Sequence, residues 1–222
     1  MKRLIFTIQE YINQLLFGIS CSGCGKPGFY ICKKCLDSIR LSDTTEHPLI
    51  YGLYDYGTPL VSHSIWNLKY KHKGQEAKLL IKKASVMVSE IIADHLQSEF
   101  AQEIIFVPIP QYKKKTESRG FNQSIVLAKW LSEEIPNSKV KILLEKKYQT
   151  LPQSHISNKK MRIKNVEQTM CGIKNIEKDK VYIIIDDVTT TGATFLEAKR
   201  ALKESSAKNI LCIALAHGYK KR

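Results

Sequence analysis

The pattern of apolar and polar positions changes several times along the chain, and each change predicts a new element. Apolar residues at helical spacing in residues 3–17 predict an amphipathic N-terminal helix. Further helical patterns span residues 59–70, 75–98, 121–134 and 192–204. Short apolar runs typical of strands span residues 49–56, 104–110, 140–144, 181–186 and 209–215. Strands that alternate with helices indicate an α/β fold, a parallel sheet flanked by helices.

Four of the six cysteines form two closely spaced Cys-x-x-Cys pairs near the start of the chain. Two such pairs can supply four thiolates to one tetrahedral Zn²⁺, and a fully protein-ligated metal of this kind is structural. The alternatives are disulfides, which are disfavoured because nothing points to export, or redox pairs, for which the strand–helix context is absent. The predicted zinc ligands are Cys21, Cys24, Cys32 and Cys35.

This pattern divides the chain into three parts. Residues 1–17 are the amphipathic helix, residues 18–40 are a four-cysteine zinc-finger module, and residues 41–222 are the main α/β domain, which begins with a polar linker. No apolar run reaches the ~20 residues of a membrane helix. Polar residues also interrupt the signal-like start. We therefore expect a cytoplasmic protein without stable membrane insertion.

The most informative stretch is residues 181–194, where an apolar strand ends in Asp186 and Asp187. A loop with four threonines and a glycine follows and leads into a helix. Successive backbone N–H groups at a helix N-terminus attract phosphate, and the hydroxyls add donors. The two carboxylates suit ribose hydroxyls or a bridging Mg²⁺. This order of residues predicts a sugar-phosphate site at the carboxyl end of the strand.

These residues resemble the signature of type I phosphoribosyltransferases, which bind phosphoribosyl pyrophosphate (PRPP). Taken with the four cysteines, they also resemble the ComF family of competence proteins over nearly the whole chain. The other residues that carry this resemblance are Val107, Pro108, Ile109, Pro110, the run from Arg119 to Gln123, Gln153, Arg162 and Asn165. The resemblance implies a type I phosphoribosyltransferase-like parallel sheet with a small N-terminal zinc module.

The resemblance also implies roles for particular residues. Asp186 and Asp187 would be the catalytic residues and hold the ribose hydroxyls of PRPP, which Mg²⁺ would accompany. The loop after the first core strand would bind pyrophosphate, and the threonine loop would bind the 5-phosphate. These PRPP-binding residues are Val107, Pro108, Ile109, Pro110, Asp186, Asp187, Val188, Thr189, Thr190, Thr191, Gly192, Ala193 and Thr194.

Two further groups have less defined roles. A mobile loop over the phosphates would supply anion contacts from Lys113, Lys114, Lys115, Arg119, Asn122 and Gln123. Its four cations within seven residues fit that role. Arg162 could bind a phosphate, Gln153 and Asn165 could read a base edge, or all three could form a structural polar network. The sequence leaves these alternatives open.

The excess of positive charge lies mainly in the middle of the chain. The net charge is +14 overall, and residues 61–175 alone contribute 20 basic and ten acidic side chains. Basic clusters that track phosphates, with Tyr54, Tyr56, Trp66 and Tyr70 as stacking faces, would suit single-stranded DNA. The candidate nucleic-acid residues are Lys69, Lys71, Lys73, Lys82, Lys83, Lys159, Lys160 and Lys164.

Two functions follow as hypotheses. The first, implied by the ComF resemblance, is assistance in handling and uptake of single-stranded DNA during natural transformation, with DNA-uptake machinery proteins as partners. The second is an active phosphoribosyltransferase that transfers 5-phosphoribosyl from PRPP to an unidentified base or amine.

Overall fold

The computed structural model describes residues 18–42, 47–71, 73–96, 103–112, 120–147, 168–173 and 176–218. The predicted N-terminal helix lies outside these ranges, as do the central part of the predicted linker and several of the candidate site residues.

A five-stranded parallel sheet forms the centre of the molecule. The strands are β1 (Ile50–Asp55), β2 (Ile104–Pro108), β3 (Ser138–Val140), β6 (Val181–Thr189) and β7 (Asn209–His217), in the order β1-β7-β6-β2-β3. β6 and β7 are apolar and buried along most of their length, as expected for strands covered on both faces. A separate antiparallel pair consists of β4 (Leu144–Lys146) and β5 (Met170–Gly172). The predicted α/β fold with a parallel sheet is confirmed.

Helices cover both faces of this sheet. They are α1 (Lys33–Ser38), α2 (Pro59–Tyr70), α3 (Gln75–Leu96), α4 (Gln123–Glu134) and α5 (Ala193–Glu204). Because side chains alternate along a strand, Phe106 and Ile183 face α2, α3 and α4, whereas Ile105 and Ile184 face α5 and the β4–β5 pair.

Local signals explain where these helices begin. α2 begins with Pro59, whose missing N–H costs nothing in the first turn. Asn122 caps α4 by accepting a hydrogen bond from the Ser124 N–H. Gly192 precedes α5 with a φ of 70°, a conformation that favours glycine.

The predicted strand over residues 140–144 was wrong. The last link of β3 to the sheet is the Lys141 N–H donating to the Phe106 carbonyl, and the chain then leaves the sheet. Ile142 is 50% exposed, while Leu143 and Leu144 turn into the core beneath α5. A single apolar run therefore serves two sheets, a division that periodicity alone does not reveal.

Two further boundaries differ in a way that affects the site. β2 ends at Pro108 rather than at residue 110, and β6 continues to Thr189 rather than ending at residue 186.

Within the part of the chain that the structure describes, no helix is both long and apolar enough to cross a membrane.

Candidate functional site

The site lies where β6 extends beyond the end of its neighbour β2. Pro108 pairs with Ile185, and the Ile109 N–H donates to the Ile185 carbonyl at 2.9 Å. Proline lacks an N–H and cannot continue a ladder, so Pro108 and Pro110 favour an early end to β2. β6 runs on to Thr189, paired with β7. Asp186 and Asp187 consequently sit at the carboxyl end of the sheet, beside the space that β2 leaves.

Asp186 is held by donors from two elements. The Ser124 hydroxyl on α4 donates to Asp186 Oδ1 at 2.8 Å, and the Asp187 N–H donates to the same oxygen at 2.9 Å. Burial, and after it the negative charge of Asp187, raise the pKa of Asp186 from 3.8 to about 6. This carboxyl therefore changes charge in a pH range that ordinary carboxyls have already passed.

Asp187 forms an ion pair that the sequence analysis did not predict. Lys69 Nζ on α2 lies 2.8 Å from Asp187 Oδ1, and the two side chains are 20% and 10% exposed. Burial alone lowers the pKa of Lys69, but the charge of Asp187 and the hydrogen bond to it outweigh burial, so the pKa is raised. The ammonium is thus charged beside the acidic pair.

A signal for this position was present in the sequence. Val61, Ile65 and Leu68 form the buried stripe of α2, and Lys69 lies four residues after Ile65. A lysine at this spacing points toward the sheet, although the sequence analysis placed it on a nucleic-acid surface.

The threonine loop follows directly and forms the N-terminus of α5. Thr191 Oγ1 accepts from the Ala193 N–H at 3.4 Å, and the Gly192 carbonyl accepts from the Leu196 N–H. A Cβ on Gly192 would come within 3.0 Å of Ile50 Cδ1 and 3.2 Å of the His47 ring. The chain therefore turns tightly over residues 190–192, between the end of β6 at Thr189 and the start of the 12-residue helix α5 at Ala193.

The other residues predicted to bind PRPP lie at the end of β2 and in the loop after it, where they meet Asn122 and Gln123, which were predicted as anion contacts. Val107 is buried in the core, and Ile109 is also buried. Asn122 donates to the Ile109 carbonyl at 2.9 Å, and the side chain of buried Gln123 accepts from that of Gln111. Asn122 and Gln123 thus have structural partners. The predicted residues Lys113, Lys114, Lys115, Arg119, Gln153, Arg162 and Asn165 lie outside the described residues.

The predicted stacking residues separate into core and surface. Tyr54 is fully buried, and its hydroxyl donates to the Leu80 carbonyl at 2.8 Å, so it offers no stacking face. Tyr56, Trp66 and Tyr70 are 37%, 45% and 55% exposed. The Trp66 and Tyr70 rings lie 5.8 Å apart, and Lys71 Nζ lies 5.4 Å from the Trp66 ring centroid. We call Trp66, Tyr70 and Lys71 the α2 aromatic patch.

The lysines predicted to bind nucleic acid fall into three groups: those with partners in the protein, those that are exposed, and those outside the described residues. Lys69 is committed to Asp187, and Lys83 Nζ donates to the carbonyls of Leu36 and Ile39, each at 2.6 Å. These contacts argue against a nucleic-acid role for either residue. Lys71, Lys73 and Lys82 are exposed. The remaining candidates, Lys159, Lys160 and Lys164, lie outside the described residues.

The four predicted metal ligands converge near α1. The sulfur atoms of Cys21, Cys24, Cys32 and Cys35 all lie within 4.8 Å of one another, so they could hold a metal ion. Cys24 Sγ and Cys32 Sγ are 3.7 Å apart. Four sulfurs around Zn²⁺, at Zn–S distances of about 2.3 Å, would be about 3.8 Å apart.

Two of these thiols have pKa values that are shifted in opposite directions. Burial raises the pKa of Cys21, but N–H donors, first that of Cys32, outweigh burial and lower the pKa to about 6. Hydrogen bonding to the Cys24 and Cys32 sulfurs, and then burial, raise the pKa of Cys35 to about 12. A full set of thiolates thus needs a cation at its centre, which is what a bound divalent metal supplies.

The cysteine module is attached to the helices that form one wall of the site. Ser22 donates to the buried carboxylate of Glu76 on α3, and Asn67 Nδ2 on α2 donates to Glu76 Oε2 at 2.7 Å. A Cβ on Gly23 would approach Leu60 Cδ1 of α2 to 3.0 Å, so the module packs closely on this helix. The module therefore helps to hold the helix that carries Lys69.

Comparison with known proteins finds similarity to one domain family and to proteins named for competence and DNA utilization. Residues 121–222 match the model of the phosphoribosyl transferase domain. The chain is 26% identical over 191 residues to competence protein ComFC of Bacillus subtilis (strain 168), covering 84% of this chain and 72% of that protein. It is 24% identical over 192 residues to DNA utilization protein YhgH of Salmonella typhimurium, covering 86% and 80%. Among solved structures, adenine phosphoribosyltransferase from Leishmania donovani shows 12% identity over 77% of this chain and 72% of that chain, with a TM-score of 0.39.

Lys83→Met should lower the free energy of unfolding by about 1–3 kcal/mol, because the carbonyls of Leu36 and Ile39 lose a charged donor. Urea denaturation of the metal-loaded protein would measure the change. Lys82→Met is the matched control, since Lys82 is the exposed neighbour on the same helix and should change stability by less than about 0.5 kcal/mol. Equal effects of the two substitutions would contradict the assigned role of Lys83.

Asp186→Asn should stabilise the fold relative to wild type in a pH-dependent way. In the wild-type protein, Asp186 keeps its proton up to about pH 6, whereas the unfolded chain releases it near 3.8. The contribution of the protonated carboxyl is therefore lost as pH rises from about 4 to 6 and stays absent above that range. Urea denaturation of both proteins at pH 5 and pH 8 should give a larger advantage for Asp186→Asn at pH 8. A pH-independent difference would refute the raised pKa.

Proposed function

Because the chain is a ComF-like protein with a phosphoribosyltransferase-type domain, we propose that it assists the handling and uptake of single-stranded DNA in natural transformation. We further propose that it keeps a pocket for PRPP or a related sugar phosphate. Its partners would be single-stranded DNA and proteins of the DNA-uptake machinery, in the cytoplasm. Residues 41–222 would form one domain, to which the cysteine module at 18–40 adds a structural Zn²⁺.

The pocket is supported by one observation above all. Asp186 and Asp187 emerge at the carboxyl end of the central strands, and the threonine turn leads straight into the N-terminus of α5. The carboxylates would accept hydrogen bonds from ribose hydroxyls, while the backbone N–H groups and hydroxyls of residues 189–194 would bind the 5-phosphate. The groups proposed to bind ribose and those proposed to bind the 5-phosphate follow one another along the chain, so one sugar phosphate could contact both.

The acidic pair as it stands does not fit direct coordination of Mg²⁺. Asp187 Oδ1 is held by the Lys69 ammonium, and Asp186 Oδ1 accepts from Ser124 and from the Asp187 N–H. Mg²⁺ prefers several oxygen ligands in near-octahedral geometry. In our proposal Mg²⁺ accompanies PRPP through its pyrophosphate, and the protein contributes the sites for ribose and 5-phosphate.

DNA binding is supported by the α2 aromatic patch. Exposed aromatic rings that lie beside a lysine are what sequence-independent binding of single strands uses, because every base has a face that can stack. Trp66 and Tyr70 are the two most exposed aromatic residues of the described chain, and Lys71 lies against Trp66. The related protein YhgH is named for DNA utilization, which agrees with a role in DNA binding.

The second candidate function is an active phosphoribosyltransferase. The observation that favours it is the completeness of the acidic pair and threonine turn, which would position a ribosyl centre for attack. A base or amine would attack the anomeric carbon as pyrophosphate leaves, and the protein would act by positioning and by stabilising charge. Pyrophosphate release with PRPP and a panel of bases and amines would establish this activity, and no release with any acceptor would reject it for that panel.

PRPP should raise the melting temperature of the wild-type protein but not of an Asp186→Asn/Asp187→Asn variant, because ribose recognition needs both carboxylates. Differential scanning fluorimetry with increasing PRPP would measure the shift. Free pyrophosphate is the control for binding by the phosphates alone. An equal shift in both proteins would place the ligand elsewhere, and no shift in wild type would remove the pocket from the proposal.

Trp66→Ala and Tyr70→Ala should each weaken binding of a single-stranded oligonucleotide by about fivefold or more, since stacking contributes about 1–3 kcal/mol per base. Fluorescence anisotropy at several salt concentrations would measure the affinity, which should fall as salt rises. Ile142→Ala is the matched control, as Ile142 is 50% exposed and lies outside the α2 aromatic patch. Affinity that depends neither on the patch nor on salt would reject the DNA-binding proposal.

A further inference from the structure

The acidic pair already contains a cation that the protein itself supplies. Lys69 Nζ lies 2.8 Å from Asp187 Oδ1, and both side chains are mostly buried. One oxygen of Asp186 accepts from Ser124 and from the Asp187 N–H. One oxygen of each carboxylate therefore already accepts hydrogen bonds from donors of the protein itself.

We propose that Lys69 is the built-in counter-ion of this pair and makes Asp186 and Asp187 a metal-independent site for the hydroxyls of a ribose 5-phosphate. The ribose ligand rests on the proposed function, whereas the role of Lys69 rests on the ion pair itself. A divalent cation between the carboxylates would lie within a few ångströms of the ammonium. Two such charges repel strongly where water is largely excluded.

The Lys69 ammonium cannot easily move away from Asp187, because contacts on two sides hold α2 in position. Asn67, two residues before Lys69, donates to the buried Glu76 carboxylate, which also accepts from Ser22 of the cysteine module. The other end of α2 packs at Leu60 against Gly23. Displacing the ammonium would therefore mean rotating its long side chain out of a partly buried position or shifting a helix that two other elements hold.

The charge balance favours a neutral group at this position. Two carboxylates and one ammonium leave a single negative charge, which suits donation by uncharged ribose hydroxyls. An ammonium has three N–H donors, so Lys69 can hold Asp187 and still donate to a ligand oxygen. The site should thus recognise ribose whether or not a divalent metal is present.

The first experiment uses wild-type protein and ribose 5-phosphate, which lacks the pyrophosphate that would bring its own Mg²⁺. Differential scanning fluorimetry should give the same shift in melting temperature in EDTA and in Mg²⁺, with zinc already bound and its retention checked by metal analysis. A shift that appears only with Mg²⁺ would overturn the inference. Absence of any shift would count against the proposed ribose phosphate pocket, and the second experiment would then decide the role of Lys69.

The second experiment titrates Mn²⁺ alone and measures bound metal by electron paramagnetic resonance. Lys69→Met should bind Mn²⁺ about tenfold or more tightly than wild type, because the repulsive charge is gone. Lys69→Arg, which keeps the charge, should behave as wild type, and adding Asp187→Asn to Lys69→Met should abolish the gain. Lys208→Met removes an exposed positive charge elsewhere and is the control for net charge.

Unchanged or weaker Mn²⁺ binding by Lys69→Met would overturn the proposal. Circular dichroism should first establish that this variant is folded. If Lys69→Met does not fold, Lys69→Gln removes the charge and keeps a polar side chain, and the same gain in Mn²⁺ affinity is expected from it.

Discussion

The early end of β2 is the constraint on which the site depends. Pro108 and Pro110 carry no N–H groups, so the ladder between β2 and β6 stops after the Ile109 link to Ile185. β6 is buried between its neighbours up to that point and has β7 beside it for the last four residues. The two carboxylates of Asp186 and Asp187 thus emerge where a neighbouring strand is missing. A continued β2 would fill the space that a ligand needs.

The groups that line this opening balance its charge from three directions. Ser124 donates from α4, Lys69 from α2, and the Asp187 N–H from β6 itself. Burying two adjacent carboxylates is costly unless they are paired, and the structure pairs one with an ammonium and the other with neutral donors. The raised pKa of Asp186 is the remaining sign of that cost. The packing and the electrostatics of the acidic pair therefore depend on each other.

Much of this could be predicted from the sequence, and the exceptions have physical reasons. Strands β1, β2, β6 and β7, helices α2 to α5, the cysteine cluster and the position of Asp186 and Asp187 followed from periodicity and spacing. Lys69 was misplaced because a basic residue in a basic segment looks like surface, and only its position on the buried stripe of α2 indicates otherwise. Asn122 and Gln123 were assigned to an anion-binding loop, although a capping residue and a buried amide need structural partners. Tertiary contacts between distant segments, such as that between Ser22 and Glu76, leave no local pattern to read.

The contact between Ser22 and Glu76 has a consequence for how such proteins can diverge. Glu76 is buried, and its carboxylate is shared between the cysteine module and Asn67 of α2. A module transplanted from a distant relative would have to bring a donor to the same place, or one oxygen of the buried Glu76 carboxylate would lose its partner. The cysteine module at residues 18–40 and the helices after β1 should therefore be inherited as one unit. The segment from 121 to 222 that matches the domain family does not contain the whole sheet, because β1 and β2 precede it.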